Sequence, residues 1–175
     1  FQPVWCDAPC RQIIYPQERP HPLFSRNGGR GVCAPIFAAD DAKAKTLRDI
    51  GFGAVLTHQK DGIARGTGAF VTLANEPDNF VLIKDRASAH YSFSRGTSGQ
   101  SYPSSLMGSI ALLRQSYLDA QWYKSTPSAE GVNLSLKSWN ENQNLPQIFD
   151  ANDKWNDLRA DKVGDEFGVQ YIIKG

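Results

Sequence analysis

The stretch Leu145–Gly175, LPQIFDANDKWNDLRADKVGDEFGVQYIIKG, constrains this chain most. An apolar run, Pro146–Ala151, leads into a polar-flanked segment of helical period and then into a second apolar run, Val169–Ile173. Asn152 or Asp153 offers a side-chain oxygen to the first free helical N–H groups, and Gly168 offers the left-handed stop. The spacing predicts a helix to Phe167 with Trp155, Leu158, Val163 and Phe167 facing inward. Apolar strands joined by a helix point to a parallel sheet covered by helices, an α/β protein. Pattern alone allows an open doubly wound sheet and part of a (β/α) barrel equally. Neither G-x-G-x-x-G nor a Walker loop occurs, which weakens the nucleotide-binding version.

Upstream, Asp40 or Asp41 caps a helix through Ile50, with Ala44, Leu47 and Ile50 on one face and Gly51 as its stop. Phe52–Thr57, Gly68–Ala74 and a short Phe80–Lys84 read as strands, with Pro77-Asp78-Asn79 as a turn. Residues 85–103 read as a loop or a frayed strand. A long helix over about Ser104–Lys124 buries Leu106, Ile110, Leu113, Tyr117 and Ala120, and a weaker one over Leu134–Asn144 turns Leu136 and Trp139 inward.

Residues 1–35 differ. They hold Cys6, Cys10 and Cys33, which are all three cysteines, and six of the ten prolines, with no period that would bury a face. An odd count, with His21 as the nearest fourth ligand, fits neither a disulfide framework nor a structural zinc site well. The segment reads as irregular coil. The change of character near Ala34–Phe37 raises the expectation that it comes from a shifted reading frame. An intact frame joining it to a related upstream sequence would sink that idea. The opening Phe1 and a closing strand at Lys174-Gly175 make the chain read as a piece of a longer protein.

A net charge of +1 with scattered Lys and Arg gives no nucleic-acid footprint. No apolar run reaches the ~18–20 residues of a membrane span. Strand ends are where parallel α/β proteins place chemistry. That rule selects His58, with Asp61 and Arg65 in the loop behind it, Asp150 at the end of PQIFDA, and Lys174 at the end of VQYIIK. Each has a plainer reading. His58 is a solvent-facing loop residue, Asp61-Gly62 a turn, and Arg65 a brace to Asp61. Asp150 is an early helix cap, and Lys174 a strand-end charge. His90, in HYSFS, reads as exposed rather than as a ligand. Trp122, Tyr123, Trp139 and Trp155 read as packing. There is no HxH and no HExxH, and three scattered histidines cannot supply a full hydrolytic zinc site.

Three strings, GFGAVLTHQKDGIARGTGAFVTLA, SYPSSLMGSIALLRQSYLDAQWY and the C-terminal stretch quoted first, resemble large secreted amidohydrolase-family proteins of Bacteroidota-type bacteria, relatives of the imidazolonepropionase-like amidohydrolases. The resemblance covers about residues 36–175. It implies the interior portion of a TIM-like (β/α) barrel of the metal-dependent hydrolase type, truncated at both ends, and a periplasmic or secreted protein. It implies hydrolysis of C–N bonds, amide or cyclic amide, in a small-molecule substrate, with a divalent metal, zinc first, in the full-length protein. Asp150 would be the catalytic contact to metal or water, and His58, Asp61, Arg65 and Lys174 would bind substrate, Arg65 or Lys174 through a carboxylate. Where metal-binding relatives carry His, this chain has Asp150, and often also where it has Lys174. The metal ligands are therefore unknown, and the alternative is a non-catalytic binding or structural module that has lost its metal site.

Overall fold

The computed structural model describes residues 40–76, 78–99, 101–125 and 133–175. The cysteines, His21 and the irregular segment 1–35 lie outside them, as does Pro77 of the expected turn.

Five strands form one sheet in chain order: β1 (Ala54–Thr57), β2 (Ala64–Thr72), β3 (Leu82–Ser92), β4 (Gln147–Asp150) and β5 (Tyr171–Lys174). β1, β2 and β3 are antiparallel neighbours, whereas β3, β4 and β5 run parallel. The sheet is therefore mixed. The parallel half matches the strand–helix–strand reading. The antiparallel half follows from connections too short to hold a long crossover helix. Two reversals restore direction, so the C-terminal ends of β1, β3, β4 and β5 share one end of the sheet.

The helices are α1 (Asp41–Ile50), the single-turn α2 (Asp78–Val81), α3 (Leu106–Ser125), α4 (Leu134–Asn142) and α5 (Lys154–Phe167). Asp40, Asn133 and Asp153 cap α1, α4 and α5, each accepting two backbone N–H groups, and Gly51 and Gly168 close α1 and α5 in the left-handed region. α3, α4 and α5 cover one face of the sheet. There Ile110, Leu113, Tyr117, Leu136, Trp139, Ala160 and Val163 pack on Ala89, Tyr91 and Phe149. Edge-on rings organise this core, Trp139 against both Tyr91 and Tyr117 at 5.5 and 5.1 Å between centroids.

Several expectations need correcting. Trp155 and Leu158 are 61% and 57% exposed, and Ile50 is exposed as well. α5 instead buries Ala160, Val163 and Gly164. A Cβ at Gly164 would stand 2.4 Å from the Val169 carbonyl, so small residues let this helix lie close on β5. Trp122 is exposed too. β2 starts four residues early, so Arg65 belongs to a strand and not to a loop. β3 continues through Lys84, Asp85 and Arg86 to Ser92, because only its second half is buried and its charged first half stays at the surface. A helical turn, α2, stands where the turn and the start of that strand were expected, with Phe80 exposed and Val81 buried.

Candidate functional site

The sheet face opposite the helices carries the chemistry. Strand registers place Gly66 against His90 and Gly68 against Ser88, His90 level with Ile148 and Ile172, and Ser92 level with Asp150 and Lys174. Side chains alternate along a strand, so Tyr91 and Phe149 go to the core while these residues go to the other face.

Arg65 sits where the β2–β3 register slips between Ala64 and Gly66. Such a bulge re-aims a side chain. The guanidinium reaches Asp150 two strands away, Nη1 donating to Oδ2 at 2.6 Å. The Arg65 side chain is 3% exposed and that of Asp150 19%. Arg65 Nε has no hydrogen-bond partner among the described residues. Burial acts to raise the Asp150 pKa. The Arg65 hydrogen bond and charge, with the charges of Lys174 and His58, outweigh it and hold the carboxyl below its usual range.

His58 follows β1 and stacks on His90, with ring centroids 3.9 Å apart and planes 13° from parallel. His58 Nδ1 lies 2.8 Å from the Gln59 carbonyl. A carbonyl only accepts, so Nδ1 carries the proton and Nε2 keeps its lone pair. Burial is the main cause lowering the His58 pKa to about 4; the Gln59 carbonyl pulls the other way, and Arg65 and Lys174 lower it further. His90 is 3% exposed, and burial, followed by the charge of His58 itself, lowers its pKa further still. Its Nε2 lies 2.8 Å from Ser88 Oγ. A Cβ on Gly68 would come within 2.6 Å of that nitrogen, so the glycine makes room for His90.

Of the residues expected at a mouth, His58, Arg65, Asp150 and Lys174 therefore interact around one end of the sheet. Asp61 is placed differently. It bridges to Gly96, and its Oδ1 is buried without a hydrogen-bond partner among the described residues. Arg65 pairs with Asp150 and not with Asp61, and α5 is capped by Asp153 and not by Asp150. His90, read as exposed, is buried in the site. Its signal was the Gly66-x-Gly68 pattern inside a strand, where a glycine marks close approach.

These residues do not fit a divalent metal. Two cations, Arg65 and Lys174, face one carboxylate already held by Arg65. His58 Nδ1 and His90 Nε2 are engaged with Gln59 and Ser88. Among the described residues no group of three or more His, Cys, Asp or Glu could hold an ion. The cluster can instead hold an anion.

No known family profile matches the chain, and no curated protein matches it. Among solved structures, the crystal structure of an amidohydrolase from Thermotoga maritima MSB8 is similar, with a TM-score of 0.64 at 16% identity over 80% of this chain. The chain spans 41% of that protein's length. The α/β fold of this chain is thus similar to part of the fold of an amidohydrolase.

Proposed function

We propose that this chain is part of an amidohydrolase-like hydrolase acting on C–N bonds of amides or cyclic amides, and that its polar sheet face binds the carboxylate of a small substrate. The observation that carries the binding role is Arg65, a buried guanidinium whose Nε has no partner among the described residues, beside Lys174 and the Asp150 carboxylate. One positive charge is in excess there, and a substrate carboxylate supplies the matching acceptors. The likeness to the Thermotoga protein supports the hydrolase fold. Three helices on one face of the sheet suit a wall of a barrel better than an open sheet wound on both sides. In this reading the divalent metal, zinc by resemblance, is held by residues other than those described, and His58, Arg65 and Lys174 orient substrate. Asp150, expected as the contact to metal or water, serves in this reading to fix Arg65, and Asp61, expected to bind substrate, serves as a contact of the loop.

The test uses the complete gene product. Metal content is measured, and amides, dipeptides and lactams with and without a carboxylate are assayed. Turnover favouring the carboxylate forms, with KM raised at least ~10-fold by Arg65→Met for those forms alone, is expected. No metal and no turnover across the panel would overturn the hydrolase reading.

The poor fit of these residues to a metal favours a second reading, a barrel-derived binding module. It expects carboxylate binding without turnover, binding kept in Asp150→Asn, and no stabilisation by added zinc.

A further inference from the structure

His90 touches none of the charged groups by hydrogen bond, yet its ring covers one face of His58 at 3.9 Å. Three features fix that arrangement. Ser88 holds His90 Nε2 at 2.8 Å. Gly68 leaves space that any Cβ would fill, 2.6 Å from the same nitrogen. The Gln59 carbonyl accepts a hydrogen bond from His58 Nδ1–H at 2.8 Å. With one ring nitrogen tied and one ring face covered, His58 is left with its Nε2 lone pair. Burial above all, and then Arg65 and Lys174, disfavour a proton on that nitrogen, and Asp150, the opposite charge acting on His58 among the described residues, is itself tied to Arg65. A neutral imidazole accepts a hydrogen bond and attracts a donor, which is a requirement separate from the anion requirement of Arg65.

We propose that His90 is a positioning residue that holds His58 as a fixed hydrogen-bond acceptor, so that the site selects a carboxylate ligand bearing an N–H donor near the carboxylate. The inference rests on the carboxylate-binding reading above and adds the donor requirement. It assigns Ser88 and Gly68 to the support of His90.

The 175-residue chain labelled with ¹⁵N-histidine carries only three imidazoles, His21, His58 and His90. At pH 7 the His58 signals are expected to be those of the neutral Nδ1–H form. A charged ring or an Nε2–H form overturns the inference without any ligand. The binding probes are acetate, N-acetylglycine, and N-acetylsarcosine, which lacks the N–H. N-acetylglycine is expected to bind about fivefold more tightly than N-acetylsarcosine and to shift the His58 Nε2 signal. His90→Phe, which keeps a ring against His58, should retain the preference, and His90→Ala should lose it while acetate binding stays. If His90→Ala does not fold, Ser88→Ala frees the His90 ring without emptying its place and should narrow the same preference. Equal affinity for the two acetylated probes in the native chain overturns the donor requirement and leaves the carboxylate site standing. A preference that survives both His90→Ala and Ser88→Ala overturns the positioning role. Binding of none of the three probes overturns the carboxylate reading and this inference with it.

Discussion

Asp150 takes a hydrogen bond from a guanidinium that is almost wholly removed from solvent. Asp150→Asn therefore leaves a buried positive charge with a weaker partner, and it is expected to cost about 3 kcal/mol, read by denaturant unfolding. Replacing both members together, Arg65→Met with Asp150→Leu, should cost less than the single change, since no charge is then left alone. Acid should act through the same residues. In the unfolded chain both histidines titrate near 6.5, while the fold holds His58 at about 4 and His90 lower. Between those values the unfolded chain binds protons that the folded chain refuses, so stability falls as pH falls from 6.5 toward 4. The loss is at most about 2 kcal/mol per histidine at pH 5. Asp150 adds a further loss lower down: its stabilisation is present above the ordinary 3.8 and disappears as pH falls through its depressed value. Thermal melts from pH 7.5 to 4.5 should show the first slope, and His90→Phe should flatten it.

The elements divide into those held by their caps and those held by the core. Asp153 accepts the Trp155 and Asn156 N–H groups at 2.9 and 3.0 Å, so Asp153→Ala should lower stability by about 1 kcal/mol in a denaturant titration. Trp139, 3% exposed between Tyr91 and Tyr117, is the opposite case, and Trp139→Ala should cost about 3–5 kcal/mol. Trp155→Ser, at a site 61% exposed, should stay within about 0.5 kcal/mol. That contrast runs against the sequence reading of α5, which weighed bulk above packing. Caps and stops were legible because they act within four residues. Asp40, Asp153, Gly51 and Gly168 all stand where their chemistry placed them. The inner face of α5 was not legible, because it depends on how close the helix lies to β5, and that is set by Gly164 meeting Val169 and Tyr171.

At the scale of the molecule, one face of the sheet is packed by helices and the other holds the charged cluster beside Ile172, which is 55% exposed. β5 has a single neighbour among the described residues. An apolar residue on a strand with one unpaired side invites association. Ile172→Lys should therefore lower self-association in concentration-dependent sedimentation while changing stability little. Residue types and local spacing determined the α/β class, the parallel β4–α5–β5 unit, the helix ends and the gathering of His58, Asp150 and Lys174 at strand ends. They do so because helix periodicity, capping and strand polarity are short-range properties of the chain. Only the tertiary structure decided that Arg65 crosses β3 to Asp150 and that His90 is buried against His58. Those outcomes depend on strand register and on a bulge, where a slip of one residue exchanges the two faces of a strand, and no local pattern in the chain fixes that slip.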